Sequence, residues 1–105
     1  MFAFSGIRSF ARIAFTGDTV HLSCGAAKTV IIPVDWLYQP SPDDRGHVII
    51  SGGFMTNGDF GGRLNISGSI LIIKNIKKED GGVFTCVEDA GTGTRYRIDL
   101  TVQGK

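Results

Sequence analysis

The sequence predicts an all-β domain of short strands, and three observations carry that prediction. Apolar runs with period-two alternation recur along the chain, each closed by turn residues. No stretch shows sustained helical periodicity. Glycine accounts for 15 of the 105 residues and phenylalanine for 7, a bias toward turns and strands.

The elements follow in order. Residues 1–15 are read as a first strand that is richest at 10–15 and ends at Thr16-Gly17-Asp18. Residues 19–24 alternate, with Val20, Leu22 and Cys24 on one face and Thr19, His21 and Ser23 on the other. A loop spans 25–28, and 30–39 is apolar around Pro33. Pro40-Ser41-Pro42-Asp43-Asp44 is a turn, because proline fixes φ and aspartate caps tight bends. The strand at 47–51 closes on Gly52-Gly53, and Asn57-Gly58 is a hairpin-type turn. Segments 62–67, 69–76, 82–88 and 94–102 complete a set of about nine strands. The predicted core is Val20, Leu22, Val34, Trp36, Leu64, Ile66, Leu71, Ile73, Ile76, Phe84, Ile98, Leu100 and Val102.

Composition excludes several functions. A net charge of +1 leaves no basic stripe for a nucleic-acid backbone. No apolar run approaches the ~18 residues of a membrane-spanning helix. The N-terminal segment lacks the order of a signal peptide, since Arg8 and Arg12 follow the apolar residues. The two cysteines, Cys24 and Cys86, form no CxxC pair, so zinc and thioredoxin-like readings have no support. They are either two buried thiols or one disulfide. A bridge closing so long a loop stabilises by ~4 kcal/mol in the chain-entropy model and implies an oxidising compartment.

Four features then coincide. Cys24, Trp36 and Cys86 stand in that order, Asp80-Gly81-Gly82-Val83-Phe84-Thr85-Cys86 reads D-x-G-x-F-x-C, and Arg63 precedes a strand. Together they resemble a V-type immunoglobulin domain along nearly the whole chain. The resemblance implies a Greek-key sandwich of two antiparallel sheets with one Cys24–Cys86 disulfide between them. Trp36 packs beside that bridge, Phe84 lies in the core, and Arg63 pairs with Asp80 at the bottom of the sandwich. Segment 51–61 is long enough for the extra strands of the V type. One position departs from the pattern. The family usually has tyrosine where Phe84 stands, and the missing hydroxyl predicts a deficit of about 1 kcal/mol.

The resemblance also indicates where function lies. In V-type domains the sheet that carries the tryptophan pairs with a partner. Leu37 and Gln39 are expected to point outward there, with Thr85, Val87, Arg95, Arg97 and Asp99 on the last two strands and Ile49 on the strand beside them. An apolar centre with a charged rim is the composition of a protein interface. Val34-Asp35-Trp36-Leu37, Pro42 and the run from His47 through Val48-Ile49-Ile50-Ser51 to Gly52 are similar to the coxsackie-and-adenovirus-receptor and cortical-thymocyte adhesion group. That likeness implies a cell-surface recognition or adhesion domain that homodimerises through this sheet. On this reading residues 1–105 are one domain of a larger, membrane-anchored extracellular receptor.

Two other functions compete with this one. Ala90-Gly91-Thr92-Gly93-Thr94 resembles the joining-segment pattern F-G-x-G-T, with alanine for phenylalanine, and Leu100-Thr101-Val102 ends as such segments do. An antigen-receptor-like module would bind through loops at 26–32, 52–58 and 88–94. An innate V-type domain would bind carbohydrate. Asn65-Ile66-Ser67 is a glycosylation sequon predicted to face away from the Trp36 sheet. Ile70 and Ile72 also face outward on that opposite sheet, under the N-terminal strand or a following domain. Catalysis finds no nucleophile motif or carboxylate pair beside His21 or His47, and no cofactor is expected.

Overall fold

A computed structural model describes residues 7–24, 34–41, 43–51, 54–55, 60–87 and 95–104. Nine strands are present among them: β1 (Ile7–Phe15), β2 (Val20–Ser23), β3 (Asp35–Gln39), β4 (His47–Ser51), β5 (Phe54–Met55), β6 (Leu64–Ser67), β7 (Ile70–Ile73), β8 (Gly82–Val87) and β9 (Arg95–Gln103). They form a six-stranded sheet in the order β1-β9-β8-β3-β4-β5 and a three-stranded sheet in the order β2-β7-β6. Every pairing is antiparallel except β1 with β9, which run parallel from Ile7 beside Arg95 to Phe15 beside Gln103. The described part of the N-terminal strand, β1, therefore belongs to the larger sheet, whereas Ile70 and Ile72 lie half-buried on β7 of the smaller one.

The alternation read from the sequence fills the space between the sheets. Val20 and Leu22 of β2, Leu71 and Ile73 of β7, and Trp36 of β3 are all nearly inaccessible. Ile98, Leu100 and Val102 of β9 join them, and Leu64 and Ile66 pack half-buried against the cluster. Cys24 and Cys86 form a disulfide with Cα atoms 5.9 Å apart. Trp36 is the register partner of Cys86, so its ring lies at the bridge level. Among the described residues its indole Nε1–H has no acceptor, so this ring is held by packing.

The bottom of the sandwich is closed by polar contacts. Arg63 donates from Nη1 and Nη2 to the two carboxylate oxygens of Asp80, at 2.7 and 2.9 Å. The same Nη1 donates to the carbonyls of Lys74 and Asn75, at 3.2 and 3.1 Å. Asp80 also accepts the backbone N–H of Lys77 at 2.7 Å. The hydrogen bond to Asp80 raises the Arg63 pKa still further, so the guanidinium is always charged. Two residues on, Gly82 has φ +145°, and a Cβ there would press on the Gln39 carbonyl and Pro40. The last glycine of the D-x-G run is therefore required by the approach of β3.

The hydroxyl missing at Phe84 has a counterpart on the facing strand. Tyr38 stands directly across from Phe84 in the β3–β8 ladder. Its hydroxyl donates toward the carbonyl of Gly81 at 2.8 Å, with that of Glu79 at 3.2 Å. Tyr38 is 6% exposed, and its ring lies 4.7 Å from that of Phe84 and 5.0 Å from that of Phe60. The hydroxyl that ties the β8 corner has moved to the facing strand. Sequence reasoning looked for it only two residues before Cys86.

Two measurements check this corner. Tyr38→Phe should lower the unfolding free energy by about 1 kcal/mol in denaturant titration, without changing the m-value. Asp80→Asn should cost about 2–3 kcal/mol by the same assay, because it removes the charged acceptor of Arg63.

Candidate functional site

The outer face of the six-stranded sheet follows from the core by alternation. With Trp36, Tyr38, Phe84 and Cys86 directed inward, the intervening residues must face out. The register places Val48, Leu37, Thr85 and Arg97 in one row across β4, β3, β8 and β9. A second row holds Gln39, Val83 and Asp99, and a third holds Asp35, Val87 and Arg95.

Several predicted contact residues lie on this surface. Leu37 and Arg97 are half-buried, while Arg95 and Asp99 are exposed. Arg97 Nε lies 3.7 Å from Asp99 Oδ1, an exposed ion pair of little energetic weight. Gln39 faces the same way, but its carboxamide Nε2 donates to the Asp44 carbonyl at 2.8 Å. That contact holds it against the turn between β3 and β4, where Gly46 packs on its stem.

Two predicted contact residues do not present surface. Ile49 is 1% exposed and belongs to the core. The cause is a register shift in the β3–β4 ladder: Trp36 pairs with Ile50 but Leu37 with Val48, leaving Ile49 as an extra residue. Such a bulge breaks alternation, so Ile49 and Ile50 both turn inward. Val48, 41% exposed, is the residue that β4 offers to the outside. Val87 is also buried, at 5%. It lies on the outward side of β8, with Asp35 of β3 and Arg95 of β9 as its register partners.

Sequence reasoning missed one further contributor. Phe54 on β5 is 78% exposed and pairs with Ser51 at the sheet edge. The apolar part of the face is thus Leu37, Val48 and Phe54 on β3, β4 and β5, with the charged part on β9. The length of segment 51–61 predicted an extra strand, but not which of its residues would face out.

The predicted loops at 26–32 and 88–94 lie outside the described residues, as does most of 52–58 apart from β5. The joining-segment likeness at Ala90 to Thr94 lies outside them too. Asn65 is exposed on β6 of the opposite sheet, and its Oδ1 accepts the N–H of Ile66 at 2.9 Å. Among the described residues no cluster of three or more His, Cys, Asp or Glu side chains could hold a metal ion.

No family model matches the chain, and no curated protein matches it. Solved structures do. The chain is similar to the extracellular domain of the voltage-gated sodium channel beta4 subunit, whose parallel homodimer structures explain its role in cell–cell adhesion, at TM-score 0.71 and 16% identity. That match covers 100% of this chain and 99% of the other. It is similar to the first immunoglobulin domain of ZIG-8, solved as a homodimer, at TM-score 0.69 and 16% identity over 93% of this chain and 82% of that one. It also resembles the Down syndrome cell adhesion molecule at TM-score 0.68 and 22% identity, over 90% of this chain but 11% of that one. At these identities the likeness concerns the fold alone: with the disulfide and sheet order, this chain has the fold of a V-type immunoglobulin sandwich.

Proposed function

We propose that this domain is an extracellular recognition module, not an enzyme, and that it pairs with a second V-type domain through the outer face of its six-stranded sheet. The observation that carries the reading is the neighbouring pair Leu37 and Val48, extended by Phe54, in the apolar part of that face. Apolar side chains that the core does not use, flanked by charged residues, give an interface its composition. Arg95, Arg97 and Asp99 supply both signs on one strand, so two copies related by a two-fold axis can set opposite charges against each other. The disulfide fits an oxidising, cell-surface setting. Structures of similar fold pair as homodimers, which favours a second copy as the partner. A membrane-anchored parent chain is part of this reading.

Asn65 belongs to the same proposal. It is exposed on the three-stranded sheet, and a glycan there would leave the pairing face open.

Pairing through the face is checked by nuclear magnetic resonance of the oxidised domain over a concentration series. Amide signals of Leu37, Val48, Thr85 and Arg97 should shift as concentration rises. Leu37→Arg should remove those shifts while leaving the spectrum folded. Signals that stay fixed from micromolar to millimolar would sink the reading. Secretion from a glycosylating host should add an enzymatically removable mass that Asn65→Gln abolishes.

A further inference from the structure

Four strands end the two sheets, and three of these edges are short. β5 has two residues, and β2 and β6 have four each. The fourth, β1, runs for nine residues, and among the described residues its strand partner is β9 alone. In a parallel ladder about half of the backbone N–H and C=O groups of a strand point away from its partner. At the end of β1 the Phe15 N–H donates to the Asp18 carboxylate at 3.2 Å and its carbonyl accepts the Asp18 N–H at 3.0 Å; before that point, among the described residues, no second strand takes up the groups on the far side of β1. Proteins usually shorten, bend or charge such an edge.

The side chains of β1 reinforce this. Of the five large apolar side chains exposed among the described residues, Phe10, Ile13 and Phe15 lie on β1, at 49, 60 and 42% exposure. Ala14 of β1 is buried beside Val102, so Ile13 and Phe15 stand on the opposite, outward side of the strand.

We infer that β1 is a second interaction surface, and that its partner is β1 of another copy of this chain, paired antiparallel about a two-fold axis at Ala11. The length of the strand and the place of Arg12 select that register. Centred on Ala11, all nine residues pair. Arg12 stands opposite Phe10 of the second copy; within the domain its Nη1 donates to the His21 carbonyl at 2.8 Å and the Phe10 ring stacks on Tyr96 at 6.4 Å. Ile13 stands opposite Ser9. Side chains keep their faces only when the register moves in steps of two. The next-longest registers are centred on Arg12 or on Phe10. Both pair two residues fewer, and the first sets Arg12 against itself. Like charges directly opposite destabilise a pair. The strand is thus fully paired in its longest register, shorter in the neighbouring two, and repulsive in one of them. The result is one continuous sheet across two domains, through an edge distinct from the face that carries Leu37.

Ala11 pairs with itself across the axis, which gives a test independent of the face reading. Sedimentation velocity is run on the oxidised domain carrying Leu37→Arg, so that face pairing is removed. A concentration-dependent dimer is expected. Adding Ala11→Lys, or separately Ala11→Glu, should weaken it at least tenfold, while thermal unfolding stays cooperative. Mixing the Lys and Glu variants in equal amounts should restore the dimer, because the charges then meet in opposite pairs. A Leu37→Arg protein that stays monomeric at every concentration overturns the inference. So does a dimer indifferent to charge at position 11. Either failure leaves the face reading to its own measurement on the unmutated domain.

Discussion

Cys24 and Cys86 join the two sheets at Cα atoms 5.9 Å apart, and Trp36 faces Cys86 in the ladder. Much else follows from that arrangement. Once 36 and 86 point inward, alternation sends 37, 85 and 97 outward, because β3, β8 and β9 are in continuous register. The face that carries Leu37 is the reverse side of the core. A one-residue slip in any of these strands would exchange core and surface.

Register is defended at the corner below. Arg63 and Asp80 close the base with a two-pronged ion pair, and the Asp80 side chain is only 4% exposed. Tyr38 reaches from β3 to the carbonyl of Gly81, just before β8 begins. Tyr38 and Phe84 are register partners, so the hydroxyl comes from the strand that faces β8. Position along one strand was therefore a poor guide to the contact. The relevant quantity is where the hydroxyl ends up.

The outer sheet divides its labour by strand. β3, β4 and β5 carry Leu37, Val48 and Phe54, β9 carries the charges, and β1 adds a long edge with Ile13 and Phe15. The bulge at Ile49 makes this division possible. It turns a second isoleucine of β4 into the core and leaves the smaller Val48 outside.

The sequence by itself determined the strand pattern and most of the core, since these depend on local alternation, while its likeness to a V-type immunoglobulin domain implied the Cys24–Cys86 bridge and the Arg63–Asp80 pair. It also placed Leu37, Gln39, Arg95, Arg97 and Asp99 on the outward side, because their strands alternate without interruption. Tertiary structure decided the rest. Ile49 is buried by a bulge against β3, and Val87 is buried on β8, the strand between β3 and β9, although its alternation points it outward. β1 joined β9 rather than the sheet of β2, a choice between two edges that alternation within β1 cannot encode. Alternation within a strand is a local property, whereas register, bulges and edge partners are set by the pairing between strands.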